Sequence, residues 1–142
     1  MALVKRILAP TDFSELSIKG VRYACQLAKE VDAALIVVNV VLLDESGATD
    51  KREIEEHKHQ LDELFKTKLA DVGAGLKIRK IVETGEPSAA IADRAESEHV
   101  DLIVTCTHGR SGISRFLIGS VTDKLVRRSH CPVLVVPSER AT

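Results

Sequence analysis

Tryptophan is absent, and with one tyrosine and three phenylalanines the aromatic residues make up only 3% of the chain. Proteins that hold single-stranded nucleic acid stack its bases on aromatic rings, and this composition offers no such platform. Charge of one sign is missing as well. Twenty Lys and Arg stand against 21 Asp and Glu, a net charge of −1, so no global field draws the chain to nucleic acid or to an anionic membrane. No apolar run reaches the length that spans a bilayer. The opening Met1-Ala2-Leu3-Val4-Lys5-Arg6 has no long apolar stretch followed by a cleavage site. Three cysteines, Cys25, Cys106 and Cys131, cannot all pair within one chain. That usage reads as a reducing, cytoplasmic setting. Three catalytic designs are also lacking: Gly-x-x-x-x-Gly-Lys-Ser/Thr, Gly-x-Gly-x-x-Gly and Gly-x-Ser-x-Gly. His57 and His59 lie two apart on a polar helical segment, which puts them on different faces, so they read as solvated and not as a metal pair.

What is present is alternation. The 142 residues suit one domain, residues 1–142. Val4 to Pro10 is a short β-rich run. Ser14 to Val31 follows at helical spacing, with Val21, Ala24, Ala28 and Val31 on one face and Asp12 or Ser14 able to cap its start. Ala34 to Leu43 is apolar apart from Asn39, the pattern of a buried parallel strand. Lys51 to Val72 reads as one second helix ending at Gly73 to Gly75. Leu76 to Thr84 is a less symmetric strand, suited to a sheet edge. Gly85-Glu86-Pro87 opens a third helix with Pro in its first turn. Asp101 to Thr105 is a further buried run, Ser120 to Ser129 a fourth helix, and Val133 to Val136 a last strand. Five strands separated by four helices predict an α/β fold: one doubly wound, five-stranded parallel sheet of Rossmann-like type.

Such sheets bind ligands beyond the carboxyl ends of their strands, and the unusual residues fall at those ends. The first strand ends in Ala9-Pro10-Thr11-Asp12, and the second at Val40. The fourth ends in Thr105-Cys106-Thr107-His108-Gly109. The loop that follows is rich in Gly, Ser and Arg, and runs into the last helix through Gly119-Ser120 and Val121. Gly109 and Gly112 permit left-handed backbone and close approach to a ligand. The first amides of a helix have no partner within it and attract anions, and Ser120 could cap that end, bind a phosphate oxygen, or both. Between Thr105 and His130 the basic residues Arg110, Arg115, Lys124, Arg127 and Arg128 face one acid, Asp123. This segment is therefore locally positive. Asp12 could bond a ligand or merely cap the first helix. His108 has no carboxylate near it in sequence to make it a catalytic base.

Ala9-Pro10-Thr11-Asp12-Phe13-Ser14 resembles the opening of the universal stress proteins. Gly85-Glu86-Pro87 is similar to their turn before the third helix. The stretch His108-Gly109-Arg110-Ser111-Gly112 to Gly119-Ser120, with Cys131-Pro132-Val133-Leu134-Val135-Val136-Pro137, resembles their C-terminal signature. The resemblance implies a sheet of the adenine nucleotide alpha hydrolase-like kind and an ATP ligand, with Mg or Mn bound through the phosphates. It places Pro10, Thr11, Asp12 and Val40 at the adenosine end. Cys106, Thr107, His108, Gly109, Arg110, Ser111 and Gly112, with Gly119, Ser120 and Val121, would surround ribose and phosphates. The family's nucleotide-binding members carry Gly, two residues, Gly, nine residues, then Gly-Ser or Gly-Thr. Gly109 and Gly119-Ser120 keep the second half of that pattern, and Cys106 stands where the first glycine would be. A negative φ at Cys106 would cost only close packing, whereas a positive φ would strain it by about 1 kcal/mol or more. The resemblance also implies a homodimer paired through the last strand. Three readings follow: an ATP-binding regulator or sensor, a nucleotide-free dimeric interaction protein of the same fold, and a weak ATPase.

Overall fold

The computed structural model describes residues 2–107 and 119–138. The elements run β1 (Arg6–Pro10), α1 (Glu15–Val31), β2 (Ala34–Val41), α2 (Lys51–Lys66), α3 (Ala70–Gly73), β3 (Ile78–Thr84), α4 (Pro87–Ser97), β4 (Leu102–Cys106), α5 (Ser120–Arg128) and β5 (Val133–Val136). The sheet order is β3-β2-β1-β4-β5, and every pair is parallel. This is the doubly wound five-stranded sheet that the alternation predicts, with β3 at one edge and β5 at the other.

Period-two alternation divides the core between the faces. Ile7, Ala9, Leu35, Val37 and Val104 pack against Ile18, Val21, Ala24 and Ala28 of α1 and against Leu61 and Leu64 of α2. Leu8, Ile36, Val38 and Ile103 pack on the other face against Ile91 and Ala95 of α4 and Leu125 of α5. Two layers of helix therefore cover the central strands, which explains why β1 and β2 read as continuous apolar runs. Cys25 lies in the first of these cores, and burial pushes its thiol up to about 11. Val31, expected on the inward face of α1, is 36% exposed.

The second helix departs from expectation. It is not continuous from Lys51 to Val72 but stops at Lys66, with Thr67 at φ −122° and ψ −93°. Thr67 turns its hydroxyl back to Glu63 O at 2.7 Å, the kind of local bond that competes with helix. The short α3 then returns Gly73 to the Phe65 ring. A Cβ at Gly73 would lie 2.8 Å from Phe65 Cδ1, so a larger residue there would have to displace the ring.

The α4 start follows the sequence reading. Gly85 has φ +123°, Pro87 occupies the first turn, and Glu86 is the N-cap, accepting from the amides of Ser88 and Ala89. Among the described residues no helix is long and apolar enough to cross a membrane.

Candidate functional site

The chain leaves β1 in one direction toward β2 and β3, and the order resumes on the other side of β1 with β4. At that reversal the connections part and leave a crevice beyond the strand ends. Its volume is about 510 Å³. Pro10, Thr11, Asp12, Val40, Cys106, Gly119, Ser120 and Val121 all line it, as do Phe13, Asn39, Glu53, His57, Thr105 and Thr122. Thr107 is buried beside it and ties the two sides together: its N–H donates to Val136 O at 3.2 Å, and its carbonyl accepts from Gly119 N. The expected site residues His108, Gly109, Arg110, Ser111 and Gly112 lie outside the described residues.

The floor is a network of buried polar groups. Ser17 spends its one hydroxyl hydrogen on Ser14 O at 2.9 Å. The 2.8 Å contact between Thr11 Oγ1 and Ser17 Oγ is therefore donated by Thr11. Thr11 Oγ1 in turn accepts from the Phe13 N–H at 3.0 Å. Phe13 itself has φ 68°, a left-handed backbone that lets the chain turn from β1 into α1. Ser14 caps α1, accepting from Ser17 N–H, while Asp12 Oδ1 accepts from Ser14 N–H at 3.0 Å and closes the preceding turn. Asp12 thus lines the crevice and shapes the turn, but it is not the cap.

Asn39 was visible in the sequence only as a polar break in an apolar strand. It is 3% exposed, and its Nδ2 donates to Thr11 O at 2.9 Å. That bond fixes the amide, so Oδ1 faces His57 Nδ1 at 2.8 Å and Nδ1 must carry the hydrogen. His57 meets the Phe13 ring edge to face, with centroids 5.5 Å apart at 82°. Reading His57 as solvated is therefore corrected: it is half-buried and lines the crevice, while His59 is exposed. The missed signal was register. His57 lies four residues before Leu61, on the stripe of α2 that faces the sheet.

The Thr11–Asn39 bond has a consequence for the main chain. Ala34 N–H bonds Lys5 O and Val38 O accepts from Thr11 N–H, so even-numbered residues of β2 face β1. Leu35 N–H bonds Lys77 O and Val41 O accepts from Gly85 N–H, so odd ones face β3. Val40 therefore turns its N–H and C=O to the β1 side, beyond the end of β1 at Pro10. The carbonyl of Thr11, which would continue the ladder, is taken by Asn39. Among the described residues Val40 N–H and C=O have no partner.

Across the crevice, α5 begins. Gly119 occupies the cap position with φ −61° and ψ 154°, and no side chain caps the helix. Ser120 is the first helical residue, not its cap. Thr122 Oγ1 donates to Cys106 O at 2.8 Å and so holds the helix start to the end of β4. The expected basic surround is not found in the described part of α5. Lys124 and Arg128 reach Glu86 at 3.8 and 3.2 Å, and Arg127 reaches Asp123 at 3.5 Å. Arg110 and Arg115 lie outside the described residues. Ser88 and Ala89 N–H, with Lys124, hold the Glu86 carboxyl down to about 2, the Ser88 hydroxyl contributing most. Among the described residues no three His, Cys, Asp or Glu side chains form a metal-binding group.

A parallel sheet wound both ways from β1, with a polar-floored crevice at its switch point, defines an α/β protein of the Rossmann-like class. Within that class the chain belongs to the universal stress protein family, whose sequence profile matches residues 4–137. The universal stress protein MJ0531 of Methanocaldococcus jannaschii is 38% identical over 141 residues, covering 94% of this chain and 82% of that one. The solved structure of MJ0577 from the same organism is 31% identical with a TM-score of 0.68, over 94% of this chain and 96% of that one. A universal stress protein crystallised in complex with cAMP superposes at a TM-score of 0.75, over 96% of this chain and 99% of that one. Its identity is 24%, a likeness of fold.

Proposed function

We propose that the crevice holds an adenine nucleotide, ATP with a Mg or Mn ion carried on its phosphates, as a regulatory or sensory ligand. The observation that carries this reading is the pair of open main-chain edges on opposite walls. Val40 offers one donor and one acceptor side by side, the complement of the adenine edge that presents the 6-amino group and N1. The first amides of α5, uncapped by any side chain, offer donors and a partial positive charge to phosphate. The crevice between them, about 510 Å³, is of the size that takes a small ligand. A neighbour of the same fold holds cAMP, also an adenine nucleotide.

Asp12 and Thr11 would meet the nucleoside, and Gly119, Ser120 and Val121 the phosphates. His108 to Gly112 belong to the proposed site by the family pattern. No general base is assigned, and the ligand is read as held rather than turned over. The same reading takes the protein as a cytoplasmic homodimer paired through β5.

A native mass spectrum of freshly purified protein should show a bound mass of adenine nucleotide. Titration should rank ATP above AMP and AMP above adenosine. Gly119→Val should abolish ATP binding, since its backbone angles admit valine but its side chain would enter the phosphate end. Equal affinity for adenosine and ATP would remove the phosphate role, and no binding of either would overturn the reading.

A further inference from the structure

His57 is the histidine that the α2 register turns toward the crevice, and its ring is held at two points. Nδ1–H donates to Asn39 Oδ1 at 2.8 Å, and Phe13 packs edge to face against it. The Asn39 amide cannot reverse without losing its bond to Thr11 O. Nδ1 therefore keeps its hydrogen in both charge states, and Nε2 is the atom that gains or loses the proton. Protonation leaves the ring in place and adds one positive charge to the wall.

Among the described residues the charges that line the crevice with it are acidic, while Glu55 on the outer side is paired with Lys58 at 3.4 Å. Glu53, one turn earlier on α2, and Asp12, from the β1–α1 connection, line the crevice with it. Glu55, Glu56 and His59 share the outer surface of α2 with it. From β2 it meets the uncharged Asn39, and from the turn into α1 the uncharged Phe13. No Lys or Arg is among the described lining residues. Among those residues, His57 alone can become cationic.

We propose that His57 makes ligand binding proton-linked: the crevice takes up a proton at Nε2 as it takes up a phosphorylated nucleotide, and binds it more tightly as the pH falls. This rests on the nucleotide reading of the crevice and goes beyond it by naming a residue and a sensed quantity. A merely structural His57, a strut between α2 and β2, would leave affinity insensitive to its own titration.

The test is titration of ATP and of adenosine into wild type and His57→Gln from about pH 8.5 to about pH 5.5, the range in which imidazole changes charge. Glutamine keeps an N–H for Asn39 and cannot ionise. Taking the ratio of the two proteins at each pH cancels the titration of the ATP phosphates themselves. The wild-type to variant affinity ratio for ATP should rise roughly threefold to tenfold toward acid, the effect of one partly screened unit charge. The ratio for uncharged adenosine should stay flat. Parallel ATP profiles would overturn the proposal while leaving the nucleotide reading intact. Failure of both ligands to bind wild type would overturn both. A second measurement needs no variant: the His57 ring resonance, followed by NMR, should titrate at higher pH with ATP bound than without. An unmoved titration would overturn the proposal.

Discussion

Gly20 and Cys106 share one space between α1 and β4. A Cβ on Gly20 would stand 3.6 Å from the Cβ of Cys106 and 3.7 Å from its N. Cys106 is not among the described residues with left-handed backbone, which are Phe13, Asp32 and His99 besides glycines. The departure from the family's first loop glycine therefore carries no backbone strain, and the glycine opposite on α1 gives the added side chain room.

That pairing predicts a graded response. Gly20→Ala should be tolerated, because its nearest contacts would be ordinary van der Waals ones and alanine favours helix by about 1 kcal/mol. Gly20→Val should overfill the space and cost about 1–3 kcal/mol. Most of that cost should vanish in a Cys106→Gly background, and urea unfolding of the four proteins of the cycle measures it. Cys106→Gly alone should bind ATP at least as well as wild type. Weaker binding would show that the sulfur contacts the ligand rather than crowding it.

Asn39 should be worth more than its solitary place in the strand suggests. Asn39→Leu keeps the branching at Cγ but leaves the Thr11 carbonyl and His57 Nδ1 without their bonds. Burying an unmet polar group costs about 1–3 kcal/mol, so the variant should lose about 2 kcal/mol or more in urea unfolding. A loss under about 0.5 kcal/mol would show that Thr11 O has found another donor. The nearest in register is Val40 N–H, and ATP affinity should then fall as that edge closes.

Glu86 ties the start of α4 to the side of α5. Its carboxyl lies below its ordinary value, at about 2, chiefly through the Ser88 hydroxyl and the Ala89 N–H. The unfolded chain binds this proton more readily. The contribution is thus fully present above about pH 4.5 and is lost as the pH falls toward about 2. The group is solvent-accessible, so the effect is that of an N-cap, about 1 kcal/mol. Glu86→Ala should lower stability by this amount at neutral pH. The gap between the two proteins should close on acidification, as thermal melts across that range would show.

The sequence carried the sheet because its two signals reinforce one another. Buried strands such as Leu35 to Val38 and helix caps such as Glu86-Pro87 are both local, and tertiary contacts only confirm them. It carried the strand-end residues of the crevice for the same reason. Thr67 was not legible, since no glycine or proline marks the break, and the return of Gly73 onto Phe65 is a contact between separate turns. His57 was half legible. Its separation from His59 is plain in the spacing, but its register with Leu61 points to the sheet only once the sheet is in place. Asn39 showed as an anomaly whose partners, Thr11 and His57, are distant in the chain. Lys124 and Arg128 look like a positive field in the sequence because Glu86, which engages both, lies far back in the chain.

The dimer proposal can be tested at one backbone atom. β5 is an edge strand, and Val133, Leu134 and Val135 are only half-buried. Pro132 and Val136 direct their carbonyls to β4, accepting from Ile103 and Thr107 N–H. Even-numbered residues of β5 therefore face β4, and Val133 and Val135 turn their N–H and C=O to the open edge. An apolar edge of this kind invites a second strand, and pairing with a copy of itself about a two-fold axis would satisfy both. Val135→Pro removes only the outward N–H and leaves the β4 ladder whole, which an edge strand tolerates. Wild type should sediment as a dimer at micromolar concentration, and Val135→Pro as a monomer with an unchanged circular dichroism spectrum. Leu134→Pro is the control, because it removes an N–H directed at β4 and should unfold the edge itself. A wild-type monomer, or a Val135→Pro dimer, would rule out pairing through β5.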